Sequence, residues 1–224
     1  MSLASKHYHR VLAQRQASGT SPTPAAAATS KMPMADRMLA LLRGHKAALK
    51  NIQSRQRKAA AKRDYLPEYD AYIDGVLAAD NGGQDTVLVT VMLWRIDAGQ
   101  YEAATEIAAY AMRHGLAMPE GFKRNLPSAV VEELADAAGT DPDNAELCDA
   151  LDSVLDLATN LDMPDEVRAK GCKALGMMVR ETEPERAIDL WDAALELDPK
   201  CGVKTERDRL RKKITADTTG TAGT

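Results

Sequence analysis

The sequence predicts an all-α protein: a long basic N-terminal helix followed by a bundle of helical hairpins. Three observations carry this. Apolar residues recur at three- and four-residue spacing from residue 34 to residue 214. No run alternates β-branched and polar residues long enough to insist on a strand. Turn and stop signals separate the periodic stretches, among them Leu66-Pro67, Asn81-Gly82-Gly83, Gly99, Gly115 and Asp141-Pro142. The only Phe is Phe122, which leaves a core of Leu, Ala, Met, Val and Ile, residues that suit closely packed helices.

The elements follow in order. Residues 1–33 hold Ser-Gly-Thr-Ser-Pro-Thr-Pro and four successive alanines, polar and without a period, and read as a flexible tail. The first helix is expected from Met34 to Asp64, ended by Leu66-Pro67 because a residue before proline avoids helical dihedrals. A second runs from Glu68 to Ala79. The third, Gln84 to Asp97, is apolar on most sides and therefore belongs in the core. The fourth, Gln100 to His114, is closed by Gly115 at the position where a left-handed residue ends a helix. A loop from Pro119 to Pro127 leads to helices near 128–138, 143–160, 164–181, 184–197 and 202–214, with Pro at or near several starts. Residues 215–224 read as a second tail. The regions are then a basic helical segment over 34–80, a central oligomerisation segment over 81–126, and acidic hairpins over 127–214.

Charge divides the chain sharply. Residues 1–63 carry thirteen Lys or Arg and one acid, Asp36, whereas residues 64–224 carry sixteen against thirty-two. Such asymmetry points one end at a polyanion. No apolar run reaches the roughly 18 residues of a membrane helix, and the first residues lack the apolar core of a signal peptide. Cys148, Cys172 and Cys201 are odd in number and widely spaced, as reduced cysteines of a cytosolic protein are.

Projection of residues 38–58 at 100° per residue separates two faces. Met38, Leu41, Leu42, His45, Leu49 and Ile52 gather in an apolar stripe. Arg43, Lys46, Lys50, Arg55, Arg57 and Lys58 take the other side, and Lys62 and Arg63 follow. A solvated face normally interleaves Glu with Lys at i, i+4. No acid lies between Arg37 and Arg63, so these like charges repel unless a polyanion offsets them. The stretch has no Phe, Tyr or Trp to stack on unpaired bases, and too little apolar bulk for a membrane surface. Double-stranded DNA, held through phosphates, is the expected partner.

Catalytic constellations are weak. Pro164-Asp165-Glu166-Val167-Arg168-Ala169-Lys170 offers Asp165, Glu166 and Lys170 as candidates for a metal-dependent nuclease. All three fall in the opening turns of one expected helix, where Pro followed by acids is an ordinary start. There is no GxxxxGKS or GxxxxGKT loop for ATP and no HExxH metal motif. No cofactor is expected, and Mg²⁺ enters only with the nuclease alternative.

Two segments resemble tetratricopeptide helices: Gly99-Gln-Tyr101-Glu-Ala-Ala-Thr-Glu-Ile-Ala-Ala-Tyr110-Ala and Pro184-Glu-Arg-Ala-Ile-Asp-Leu-Trp191-Asp-Ala-Ala-Leu195. They are not a multiple of about 34 residues apart, so the C-terminal part is only partly tetratricopeptide-like. A more specific likeness lies in Thr90-Val-Met-Leu-Trp94-Arg-Ile-Asp97-Ala-Gly99, Gly115-Leu-Ala-Met-Pro119, Asp162-Met-Pro-Asp-Glu-Val-Arg-Ala-Lys170 and Gly202-Val-Lys-Thr-Glu-Arg-Asp-Arg-Leu210. With the basic block ending Lys58-Ala-Ala-Ala-Lys-Arg63, they resemble the terminase small subunit of tailed phages, of the GpM type, also called the terminase endonuclease subunit. The resemblance covers residues 34–214. It implies recognition of viral DNA at the packaging end site, a ring-like homo-oligomer, and recruitment or regulation of a large subunit that carries the ATPase. It places the work in the bacterial host cytoplasm. The alternatives are a metal-dependent endonuclease subunit of terminase and a helical-repeat scaffold that binds only proteins.

Overall fold

The computed structural model describes residues 32–221, so most of the expected N-terminal tail (1–33) lies outside the described residues. Ten α-helices follow one another, with no strand among the described residues. They are α1 Met34–Lys50, α2 Arg55–Tyr65, α3 Asp70–Ala79, α4 Thr86–Ala98 and α5 Tyr101–Arg113. Then come α6 Leu126–Ala138, α7 Ala145–Leu157, α8 Asp165–Val179, α9 Pro184–Leu197 and α10 Lys204–Thr221. A 3-10 turn at Leu66–Glu68 joins α2 to α3. The chain divides into two units at Leu41/Leu42. The start of α1 is the described part of the first, and the helices from Leu42 onward form the second.

The single basic helix expected over 34–64 is two helices. The last bonds of α1 contract to i→i+3 spacing, Asn51 N–H to Ala48 O at 3.1 Å and Ile52 N–H to Leu49 O at 3.2 Å. Ser54 then turns extended (φ −69°, ψ 128°) and its hydroxyl accepts from the Arg57 N–H at 3.3 Å, capping α2. Ser at an N-cap satisfies a donor that no helical carbonyl can reach. Asn51 and Ser54 carried that signal in the sequence. The uninterrupted charge run hid it. At the far end, α10 runs past residue 214 to Thr221, and residues 222–224 lie outside the described ones.

The core is built around α4. Val87, Leu88, Val89, Val91, Met92 and Ile96 are all buried, as a helix that is apolar all round must be. Asp85 caps it, its carboxylate accepting from the Val87 and Leu88 N–H groups at 2.8 and 3.0 Å. Gly99 ends it at φ 76°, where a side chain would be strained. The helices α5, α2 and α6 pack on it. Toward the C-terminus α8 pairs with α9, and α8 also rests on α6 and α7. The two segments whose sequence resembles tetratricopeptide helices fall on α5 and α9.

An aromatic joint holds α1 from Leu42 onward to this body. The imidazole of His45 lies flat on Tyr65, 3.9 Å between centroids and 3° between planes. Its Nδ1 meets the Tyr69 hydroxyl at 2.8 Å, and Tyr69 packs edge-on to Trp94. Leu42 and Leu49 are buried on either side of it. Burial pushes the His45 pKa below its ordinary value of 6.5, opposed in part by the Glu68 carboxylate 3.6 Å from Nε2. Burial also raises the Tyr69 phenol well above its usual range, so the hydroxyl keeps its proton and can donate to Nδ1.

Two predictions follow from this packing. A Cβ at Gly176 would overlap the indole of Trp191, which is 1% exposed and hydrogen-bonded through Nε1–H to the Lys173 carbonyl. Gly176→Ala therefore lowers stability by about 1–3 kcal/mol. Gly44→Ala, with nothing within 4 Å, raises it by roughly 0.5–1 kcal/mol; thermal melts of the two variants should move in opposite directions. For His45, a pKa depressed in the folded state means that the unfolded chain binds more protons at low pH. Its stabilising contribution is present above about pH 6.5 and is lost progressively as the pH falls below that value. Urea midpoints across that window should fall in the wild type and fall less in His45→Gln.

Candidate nucleic-acid interface

The break at Asn51–Ser54 turns the basic segment into an elbow, and it sorts the eight sequence-selected cations into two groups. Lys46, Lys62 and Arg63 are tied inward. The Lys46 ammonium donates to the Thr90 hydroxyl at 3.3 Å, and burial lowers its pKa. Thr90 sits in the core helix at 3% exposure, so this bond helps seat α1. Lys62 forms an ion pair with Asp97, and the Arg63 guanidinium donates to the Ala98 carbonyl through Nη2 at 2.8 Å and Nε at 3.3 Å. That carbonyl belongs to the last turn of α4, where helical partners run out. These two side chains fasten α2 to the end of α4.

The second group faces outward. Arg43, Lys50, Arg55 and Arg57 are exposed and Lys58 is half-buried. None of the five has a carboxylate partner in an ion pair among the described residues. The α1 part of the elbow is seated by Leu42, His45 and Leu49, and the α2 part by Lys62 and Arg63. The outward cations thus stand on a backbone fixed from behind. Such an arrangement can neutralise phosphates without a large loss of backbone entropy.

The nuclease candidates are placed differently. Asp165 and Glu166 stand in the first turn of α8, and the Lys170 ammonium pairs with Asp136 of α6 at 2.6 Å. Glu166 and Lys170 line a cleft of about 670 Å³ between the starts of α6 and α8; Asp165 is not among its lining residues. The carboxylates that do line it beside Glu166 are Glu132 and Asp162, which sequence spacing does not connect. Glu132 is held by Arg124 in an ion pair. Among the described residues no group of three or more His, Cys, Asp or Glu is arranged to hold a metal ion. Nor is any described helix long and apolar enough to cross a membrane.

Comparison with known proteins gives the context of this surface. Residues 39–166 match the family described as phage small terminase subunit. The chain is 40% identical over 182 residues to the "Terminase, endonuclease subunit" of Escherichia phage P2, an alignment covering 80% of this chain and 74% of that protein. It is 23% identical over 186 residues to the "Probable terminase, endonuclease subunit" of Haemophilus phage HP1 (strain HP1c1), covering 75% of this chain and 66% of the relative. No solved structure matches. The matched region contains the elbow, the core helix α4 and the opening of α8. The chain belongs to the phage small terminase subunit family, and its role lies in phage DNA packaging.

Proposed function

We propose that this protein binds duplex DNA at the packaging end site through its α1–α2 elbow and, as a homo-oligomer, recruits or regulates the large terminase subunit. The observation that carries the DNA reading is the set of outward cations Arg43, Lys50, Arg55, Arg57 and Lys58, free of carboxylate partners on a buttressed backbone. A duplex carries one negative charge per ~1.7 Å of axis, and cations on it displace condensed counterions. Between Arg43 and Arg63 there is no Phe, Tyr or Trp on which an unpaired base could stack, which favours duplex over single strand. Recruitment of the large subunit rests on family membership. So does assembly as a homo-oligomer.

In this reading the cutting residues belong to another subunit. Supporting that, Lys170 is engaged by Asp136, and Asp165 stands outside the cleft that holds Glu166. Purified chain with Mg²⁺ should leave supercoiled plasmid intact. Nicking that disappears in Glu166→Gln would assign the endonuclease to this chain instead.

The elbow is tested by fluorescence anisotropy on a mixed-sequence duplex. Each phosphate contact contributes about 0.9 to the slope of log K against log salt. Replacing Arg55, Arg57 and Lys58 together by Gln should flatten that slope by about 2–3 and weaken binding about tenfold or more near 0.1 M salt. Lys46→Met, which removes an inward tie, should lower the melting temperature and leave the slope unchanged. An unaltered slope in the triple variant would remove the elbow as the DNA surface.

A further inference from the structure

The last helix breaks the charge pattern of the segment before it. Residues 127–203 carry nineteen acids against six Lys or Arg. Residues 204–213 then carry Lys204, Arg207, Arg209, Arg211, Lys212 and Lys213 against Glu206 and Asp208. Sequence regions drawn by composition fold this segment into the acidic C-terminal part. The helix itself does not.

In the structure α10 has an inner and an outer side. Val203, just ahead of it, is fully buried, and Leu210 and Ile214 are half-buried, so this side faces α9. Next to it, Arg207 and Arg211 converge on Asp192 of α9, with N–O distances of 2.7 and 2.6 Å, and Arg207 also holds Asp208 at 2.6 Å. These contacts consume the inner cations and both nearby carboxylates. The opposite side presents Lys204, Arg209, Lys212 and Lys213, all exposed. Lys212 and Lys213 have no carboxylate partner among the described residues. Arg209 has only Glu206 at 3.3 Å, with its side chain 74% exposed, a pair that contributes little in water.

We infer that the outward face of α10 is a second duplex-DNA contact, binding phosphates through Arg209, Lys212 and Lys213. This rests on the reading of the protein as a DNA-binding packaging subunit. The chemistry of the face selects the occupant. It has no Phe, Tyr or Trp, so it lacks both the stacking groups that hold unpaired bases and the bulk that anchors a helix in a lipid surface. It also lacks the apolar or aromatic centre around which a stable protein contact forms. Three cations on about one and a half turns of a helix fit a regular array of phosphates. Their position matters because residues 127–203, which precede α10, are strongly acidic and repel a duplex. A phosphate backbone can approach this end of the chain only where cations cover that charge.

The test uses the full chain and a long mixed-sequence duplex, with anisotropy read at several salt concentrations. Arg209→Gln, Lys212→Gln and Lys213→Gln are combined, and the elbow triple variant is measured beside them. The expected result is a slope flatter by about 2–3 and binding weaker by about tenfold, with circular dichroism and oligomer mass by light scattering unchanged. Wild-type slope and affinity in the α10 variant, with the elbow variant weakened, overturn this inference alone. Absence of duplex binding by the wild type overturns the underlying DNA reading as well. Loss of binding that accompanies a fall in oligomer mass also overturns the inference, since α10 would then join subunits. Lys212→Arg with Lys213→Arg, which keep the charge, should restore wild-type binding when placed on Arg209.

Discussion

The molecule depends on the complete burial of α4. A helix apolar on every side can be stable in water only when neighbours cover its whole circumference. Here α2, α5 and α6 supply that cover, and the aromatic joint at His45 brings α1 from Leu42 onward onto the same structure. Each neighbour is consequently oriented by the face it gives to α4. That leaves the opposite face of α1 and α2 pointing to solvent, where the unpaired cations are. The proposed DNA surface would be the outer side of a packing requirement.

The same burial explains why like charges are tolerated so close together. Lys46, Lys62 and Arg63 come from the same cationic run as the outward residues, yet they have partners in Thr90, Asp97 and the Ala98 carbonyl. Those bonds offset part of the repulsion within the run and fix α2 at the end of the core helix. The remaining cations have no such compensation within the chain. A polyanion can supply it, which links binding to folding stability through the same residues. At the other terminus Asp192 serves the equivalent purpose for Arg207 and Arg211, holding α10 against α9 while leaving its other side cationic.

Much of the fold was legible in the residues. Helix α9 begins at Pro184 and ends at Leu197 as its flanking prolines indicate, and Gly115 takes the left-handed φ of 64° expected after a helix. The all-round apolar pattern of residues 87–96 placed α4 in the core. The break at Asn51–Ser54 was less legible, because charge periodicity continues across it and capping is a local hydrogen bond that competes with that period. In the candidate site, Arg43, Lys50, Arg55 and Arg57 stand exposed as projection suggested. Projection from a straight helix could not separate them from Lys46, Lys62 and Arg63, whose direction depends on Thr90 and α4. Asp165 and Glu166 looked like a pair in sequence, and the cleft instead gathers Glu166 with Glu132 and Asp162 from distant positions.

The sequence by itself determined the helical class, the buried character of α4, the basic end of the chain and the family to which it belongs. These follow from periodicity, composition and sequence strings, all of which are local or additive along the chain. Only the tertiary structure decided which cations are free. A lysine is internal or external according to whether a carbonyl, hydroxyl or carboxylate far away in sequence lies within hydrogen-bond reach. That distance is set by packing, and no spacing rule contains it.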